Sequence, residues 1–388
     1  MFLAELPAVP YGDPWNLPLH ERIRMLARGQ RRVAYFYEMA NNSTFRYRTY
    51  NMVQVLNEGE FRDVSASYFF LEDLHRVDEI ADLADVLVIC RSRYCHQVSQ
   101  LVTKFRVRDK RVLFDIDDFV FDASYTHLIV NTLDQDLDNP ALWDFWFAYI
   151  SRMGEALRLC DGAITTNTYL AAKIEAFSGL PVAVVPNFIN KEQLEVSDAL
   201  FQAKVASGFA RNDKMTIAYF SGSPSHNLDF AIIESAIEEV MAEDARVELM
   251  TVGYIEAGPA LGRFGGRVKR QPFHDYVNLQ RLVGSVEFNL MPLQANVFTH
   301  CKSELKYFEA AIVGTQSIAS PANTYAAAIT NGRNGYIAQA HQWVSVMRRA
   351  MDNMASYPEM AQTAHAEVRS KYAWFNQRDC ILQAVGLA

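Results

Sequence analysis

The chain has 388 residues, half of them apolar and 12% aromatic, which is enough for two domain cores and too hydrophobic for a disordered protein. Its formal net charge of −8 excludes a general nucleic-acid binder, so an anionic ligand has to meet a local positive site. No apolar run reaches the roughly 18 residues of a spanning helix, and the start, MFLAELPAVPYGDPW, lacks the basic flank and apolar centre of a signal peptide.

An arginine cluster comes first, with Arg22, Arg24, Arg28, Arg31 and Arg32 interleaved among Leu19, Ile23 and Leu26. Val33–Tyr37 reads as a strand and Thr44–Asn57 as a helix; Ser65–Phe70 and Glu72–Leu83 repeat the pair. Asp85–Cys90 (DVLVIC) is a buried strand, followed by a helix near Cys95–Phe105 and the strand Arg111–Ile116. A second basic run spans Arg91, Arg93, Lys104, Arg106, Arg108, Lys110 and Arg111. Both basic stretches are either solvated helix faces or surfaces for anionic lipid headgroups, a peripheral membrane contact. A long aromatic helix, about Pro140–Leu159, precedes strand Gly162–Thr166, helix Tyr169–Phe177 and strand Val182–Val185. Lys191–Asp213 is polar and weakly periodic, and reads as a linker.

Alternation then restarts with strand Met215–Phe220, helix Leu228–Met241, strands Arg246–Val252 and Arg267–Arg270, and helix Tyr276–Val283. Strand Val286–Leu293 (VEFNLMPL), a helix from Glu304 and strand Thr315–Ser320 follow, then a helix near Ala322–Thr330, strand Gly335–Ala338 and a helical tail. Repeated β–α units imply parallel sheets wrapped by helices. The expected fold is α/β, two doubly wound Rossmann-like domains facing across a cleft. Residues 1–190 form the first, 191–213 the linker, 214–365 the second, and a helix within 366–388 packs back on the first.

Within His300–Ser320 (HCKSELKYFEAAIVGTQSIAS), Ser303 is a good N-cap and Gly314 a stop. Leu305, Phe308 and Ile312 set an apolar stripe, and Glu309 borders it. A carboxylate there is costly unless something hydrogen-bonds to it, and a pair of ligand hydroxyls is one such partner. The helix start lies at the carboxyl edge of a parallel sheet, where open α/β folds bind ligands. Lys302 and Lys306 flank it, Lys269 and Arg270 end another strand at the same edge, and Ser221, Gly222, Ser223 and His226 belong to a small-residue turn after the first strand of this block. Together these groups would neutralise a diphosphate without a metal.

In the first half, Arg46 and Arg48 fill the turn after the first strand and are candidates to hold phosphate or an acceptor. Phe114–Asp122 (FDIDDFVFD) crowds Asp115, Asp117 and Asp118 at a strand end, which suits proton transfer or metal binding. The five cysteines, Cys90, Cys95, Cys160, Cys301 and Cys380, are scattered, as in a reduced cytoplasmic protein without structural zinc.

The string VLFDIDD looks like the nucleophile motif of haloacid-dehalogenase-type phosphatases, with Phe119 where Thr or Val is usual. Asp115-Ile116-Asp117 also resembles the metal-binding Asp-x-Asp of GT-A glycosyltransferases. The whole chain, through YFSGSPSHNLDF, KSELKYFEAAIVGTQSIAS and NGRNGYIA, resembles retaining glycosyltransferases of the GT-B fold, group 1 or family 4. That resemblance implies transfer of a sugar from a nucleotide-diphosphate sugar to a hydroxyl acceptor, on a glycan or a lipid-linked carrier, with no metal and no further cofactor. It implies that Glu309 binds the donor ribose, that Ser303 and its neighbours lie under the diphosphate, and that Asp117 or Asp118 replaces the family's acceptor-side histidine. Cys301 stands where many members carry a second glutamate near the transferred sugar, so a non-catalytic sugar-nucleotide binder is the alternative.

Overall fold

A computed structural model describes residues 1–58, 63–223, 226–255 and 257–388. Its first lobe holds strands β1 (Arg31–Phe36), β2 (Val64–Phe69), β3 (Val86–Cys90), β4 (Arg111–Asp115), β5 (Gly162–Thr165) and β6 (Val182–Val184). The second holds β7 (Met215–Ser221), β8 (Val247–Gly253), β9 (Val268–Gln271), β10 (Phe288–Met291), β11 (Gln316–Ala319) and β12 (Tyr336–Ile337). Both sheets are parallel, in the orders β2-β1-β3-β4-β5-β6 and β12-β11-β10-β7-β8-β9.

Helices cover both faces of each sheet, so successive residues of a strand enter different cores. Ala34 and Phe36 of β1 join one apolar cluster, while Val33 and Tyr35 join the other. In β7, Ile217 and Tyr219 face one side, Ala218 and Phe220 the opposite side. This two-sided burial is why the strands read as continuous apolar runs.

The expected linker is a helix, Lys191–Ala206, capped by the Asn190 side chain on Gln193 N at 2.9 Å. Half of its buried face is polar: Gln193, Ser197 and Lys204 accompany Leu194, Leu200 and Phe201. Those polar groups find partners in place of apolar contacts, as where Gln280 Nε2 donates to Ser197 Oγ at 2.8 Å. The 44–57 helix also opens differently, as a π turn over Arg46–Tyr50.

The chain ends trade lobes. Phe2 N donates to Ser285 O at 3.0 Å, Val9 and Asn278 bond reciprocally at 3.1 Å, and the Phe2 ring is buried beside Phe209 and Tyr357. The first nine residues therefore lie on the second lobe. The helix Tyr357–Tyr372 also stays with the second lobe, so the crossing back falls after Tyr372 instead of at 366. The last helix, Arg378–Val385, buries Ile381, Ala384 and Val385 in the first lobe's core.

Much of the charge in the two basic stretches is paired with acids. Arg22 is buried against Asp73, Arg31 pairs with Asp63 at 2.9 Å, and Arg93 pairs with Glu38 at 2.5 Å. Lys104 and Arg108 pair with Asp78 and Asp82 at 2.9 and 2.6 Å. Among the described residues no helix is long and apolar enough to cross a membrane.

Candidate active site

In the first sheet β1 and β3 are neighbours whose connections leave in opposite directions; in the second, β7 and β10 are. Loops diverging at such points leave a crevice at the carboxyl ends of the strands. The two crevices face each other and enclose a cavity of about 810 Å³.

On the first-lobe side, Asn41 Oδ1 accepts from Phe45 N at 3.1 Å and fixes the entry to the π turn. That turn aims Arg46 and Tyr47 at the second lobe and Arg48 back into its own. Arg48 holds Asp115 through two bonds of 2.7 and 2.9 Å and donates to Val185 O at 2.7 Å, with both side chains fully buried. Asp115 and Arg48 therefore lie beneath the cleft, not in it, and serve no acceptor or phosphate contact there. Neither the phosphatase nor the GT-A reading survives, because Asp115 is consumed by Arg48 and Asp117 by other partners.

Asp117 lines the cavity. Its Oδ2 accepts from Thr44 Oγ1 at 3.0 Å and its Oδ1 from Arg91 at 3.1 Å. Asp118 accepts from Lys302 Nζ at 3.1 Å across the cleft and lies 3.7 Å from Arg91. Burial opposes its charge, but Lys302 and Arg91 outweigh burial and hold its carboxyl below the ordinary value. Arg91 sits at φ 34°, a left-handed conformation that is strained for a non-glycine residue.

On the second-lobe side, Ser221 Oγ donates to Ser223 O at 2.6 Å, and Ser221, Gly222, Ser223 and His226 line the cavity; residues 224 and 225 lie outside the described set. His226 Nδ1 is 3.0 Å from Asp229, and burial with the nearby Lys306 charge pushes the imidazole down to about 4, so it is neutral at pH 7. Burial also pushes Lys306 down to about 8, and its ammonium lies 4.7 Å from the centre of the Tyr219 ring. Ser303 is not a cap: its Oγ accepts from Asn187 at 3.0 Å, and the helix runs only from Leu305 to Ala311.

Glu309 is reached by three groups, all on Oε1: the Tyr47 hydroxyl, Gln193 Nε2 at 3.0 Å and Arg46 at 3.5 Å. Among the described residues no hydrogen bond falls on Oε2. Arg46 is itself sandwiched by the rings of Tyr47 and Tyr276, at 3.9 and 4.5 Å. Cys301 is fully buried, and its carbonyl accepts from Asn167 of the first lobe at 3.0 Å.

The cavity therefore gathers Arg46, Asp117, Asp118, Ser221, Gly222, Ser223, His226, Lys302, Ser303, Lys306 and Glu309. Lys269 and Arg270 lie elsewhere, since β9 is the edge strand, two places from β7, and Lys269 pairs with Glu248 at 2.5 Å. Arg91 and Tyr47 were missed. Arg91 directly follows a buried strand, a signal equal to the one that singled out Lys269; nothing local marks Tyr47, whose partner is 262 residues away. Among the described residues no three His, Cys, Asp or Glu side chains converge as a metal site.

No protein-family model matches the sequence, and comparison with curated proteins gives no match. Solved structures do match in shape. Alr3699/HepE of Anabaena, in complex with UDP and glucose, superposes with TM-score 0.60 and 11% identity over 92% of this chain and 99% of that one. A UDP-forming α,α-trehalose-phosphate synthase of Burkholderia xenovorans gives 0.58 and 11% over 91% and 99%. Sucrose-phosphate synthase of Thermosynechococcus elongatus gives 0.57 and 12% over 90% and 96%. The fold is thus GT-B: two Rossmann-like lobes around an interlobe cleft.

Proposed function

We propose that the protein is a glycosyltransferase that moves a sugar from a nucleotide-diphosphate sugar to a hydroxyl acceptor, with retention of configuration. The observation that carries this reading is the cleft itself, where a partly liganded acid, Glu309, and two lysines, Lys302 and Lys306, face two aspartates of the opposite lobe. The same fold holds UDP and glucose in HepE. Glu309 Oε2 would accept from the ribose hydroxyls. Lys306, Lys302 and the open backbone at Gly222 would meet the diphosphate, an electrostatic task that needs no cofactor besides the donor.

In the transfer, the acceptor oxygen bonds to the anomeric carbon while the bond from that carbon to the diphosphate oxygen breaks, its electron pair leaving with the phosphate. Lys302 and Arg91 hold the Asp118 carboxyl below its ordinary value, which makes it a weak base, and both oxygens of Asp117 already accept hydrogen bonds. The acceptor proton then goes to the departing phosphate oxygen, on the face the phosphate leaves, which supports retention. The aspartates orient the acceptor. Asp117→Asn should lower turnover by about 100-fold through lost orientation, with donor affinity nearly unchanged. Equal losses in both would make Asp117 structural. The acceptor class we favour is a bacterial surface glycan or its lipid-linked precursor, met by a cytoplasmic enzyme.

A melting-point screen against UDP-, GDP- and dTDP-sugars tests the reading, because a ligand that binds only the folded form raises its stability. No shift with any of them would reject it. Lys306 adds a pH signature. It is charged below about 8 and loses its proton above, whereas a bound diphosphate raises its pKa. Donor Kd should therefore be flat below pH 8 and rise by up to about tenfold per pH unit above it; Lys306→Met should abolish that slope. One observation favours a non-catalytic binder instead: buried Cys301 offers the transferred sugar no carboxylate. Donor binding without turnover on any glycan or lipid acceptor would establish it.

A further inference from the structure

The long helix Pro140–Arg158 leaves its first half uncovered. Phe145 is 51% exposed, Phe147 38%, and Leu137 just ahead of the helix 47%. Phe147 packs with Trp143 and His127, at 6.2 and 5.8 Å, on another side of the helix from Phe145. The Phe145 side is continuous with the cleft. Trp146 forms part of the cavity wall beside Val120, Leu133 and Phe298. Its ring centre lies 5.5 Å from that of Tyr149 and 5.7 Å from that of Phe145, and Phe145 and Tyr149 are 5.9 Å apart. A track of aromatic rings, edge-to-face at Trp146 and inclined by 30° between Phe145 and Tyr149, thus leads from the cavity wall to the outer surface. Its inner end carries an indole N–H, Nε1 of Trp146, that is buried without a partner among the described residues.

Charge selects the occupant. Between Arg111 and Arg152 the sequence has no lysine or arginine but eight aspartates, and Asp134, Asp136, Asp138 and Asp144 are exposed beside these rings in the chain. Arg93 lies 5.7 Å from the centre of the Tyr149 ring but is paired with Glu38, so the unpaired charge here is acidic and would repel an anionic bilayer, which recruits basic segments. A neutral sugar chain suits both features. The C–H faces of its rings bury against aromatic side chains, and its hydroxyls donate to carboxylates, which only accept.

We propose that this track is an acceptor subsite for a neutral glycan of several sugar units, with its terminal hydroxyl beside Asp117 and the preceding sugars packed outward against Trp146, Tyr149 and Phe145. The place of the terminal hydroxyl rests on the transferase reading; the binding of the chain does not.

The test uses the full chain, neutral α- and β-linked glucan, galactan and mannan oligosaccharides of increasing length, and tryptophan fluorescence with calorimetry as readouts. At least one series should bind, more tightly as it lengthens. The exposed-residue variant Phe145→Ala should weaken it by about tenfold while its melting point and its shift with donor stay as in the parent. Binding by no series, or binding indifferent to Phe145, overturns the subsite. Cosedimentation with phosphatidylglycerol or phosphatidylcholine vesicles that the Phe145→Ala variant loses would do the same, and assign the track to lipid. Donor shift without glycan binding sinks this subsite alone; glycan binding without donor shift sinks the transferase reading and leaves the subsite standing.

Discussion

Asp115→Ala is expected to lower the unfolding free energy by about 3–5 kcal/mol, measured by urea denaturation, because it strands a buried guanidinium. Arg48 has no access to water and would keep only Val185 O and the Asn187 side chain, at 2.7 and 3.2 Å. Its loss would be felt at the cleft as well. The Arg48–Asp115 pair joins the π turn carrying Arg46 and Tyr47 to the strand that ends one residue before Ile116 and Asp117. A turnover defect should therefore track instability, and Asp115→Asn, which keeps a hydrogen bond to Arg48, should recover much of both. Unchanged stability would instead mean that the pair does not hold the turn to the strand.

Glu309→Ala should weaken donor binding by about 1–3 kcal/mol, roughly 5- to 150-fold, through loss of a charge-assisted bond to the ribose. The informative control is Tyr47→Phe, which removes one of the three contacts on Oε1 and leaves Oε2 alone. If Oε2 is the ribose acceptor, that variant should change donor Kd by less than about threefold. A loss equal to that of Glu309→Ala would mean that the acid latches the lobes together and does not touch the donor. Calorimetric titration with the nucleotide found in the melting screen reads both.

How much of this was legible in the sequence depends on how local the cause was. Strands such as Val86–Cys90 were plain, because burial on two faces writes an uninterrupted apolar run. The helix Lys191–Ala206 was hidden since Gln193, Ser197 and Lys204 occupy its inner face, and their worth lies in partners distant along the chain. Lys269 and Arg270 were placed correctly at a strand end but wrongly at the cleft, because strand order is a property of pairing, not of pattern. Of the site itself, Glu309 was found from an acid beside an apolar stripe. Of its first-lobe neighbours, Arg46 stood out as a cation in the turn after a strand, whereas Tyr47 left no local trace.

The exchanged chain ends carry one more consequence. Three stretches bridge the lobes: residues 10–16, 186–190 and 373–377. Rotation of one lobe against the other must then twist all three strands of this yoke together, which favours a short rocking arc over a wide clamshell. It also dictates how hybrids should be cut. A second lobe transplanted from another protein of this fold has to bring the first nine residues with it and leave the last helix behind, or each half arrives with an uncovered scar.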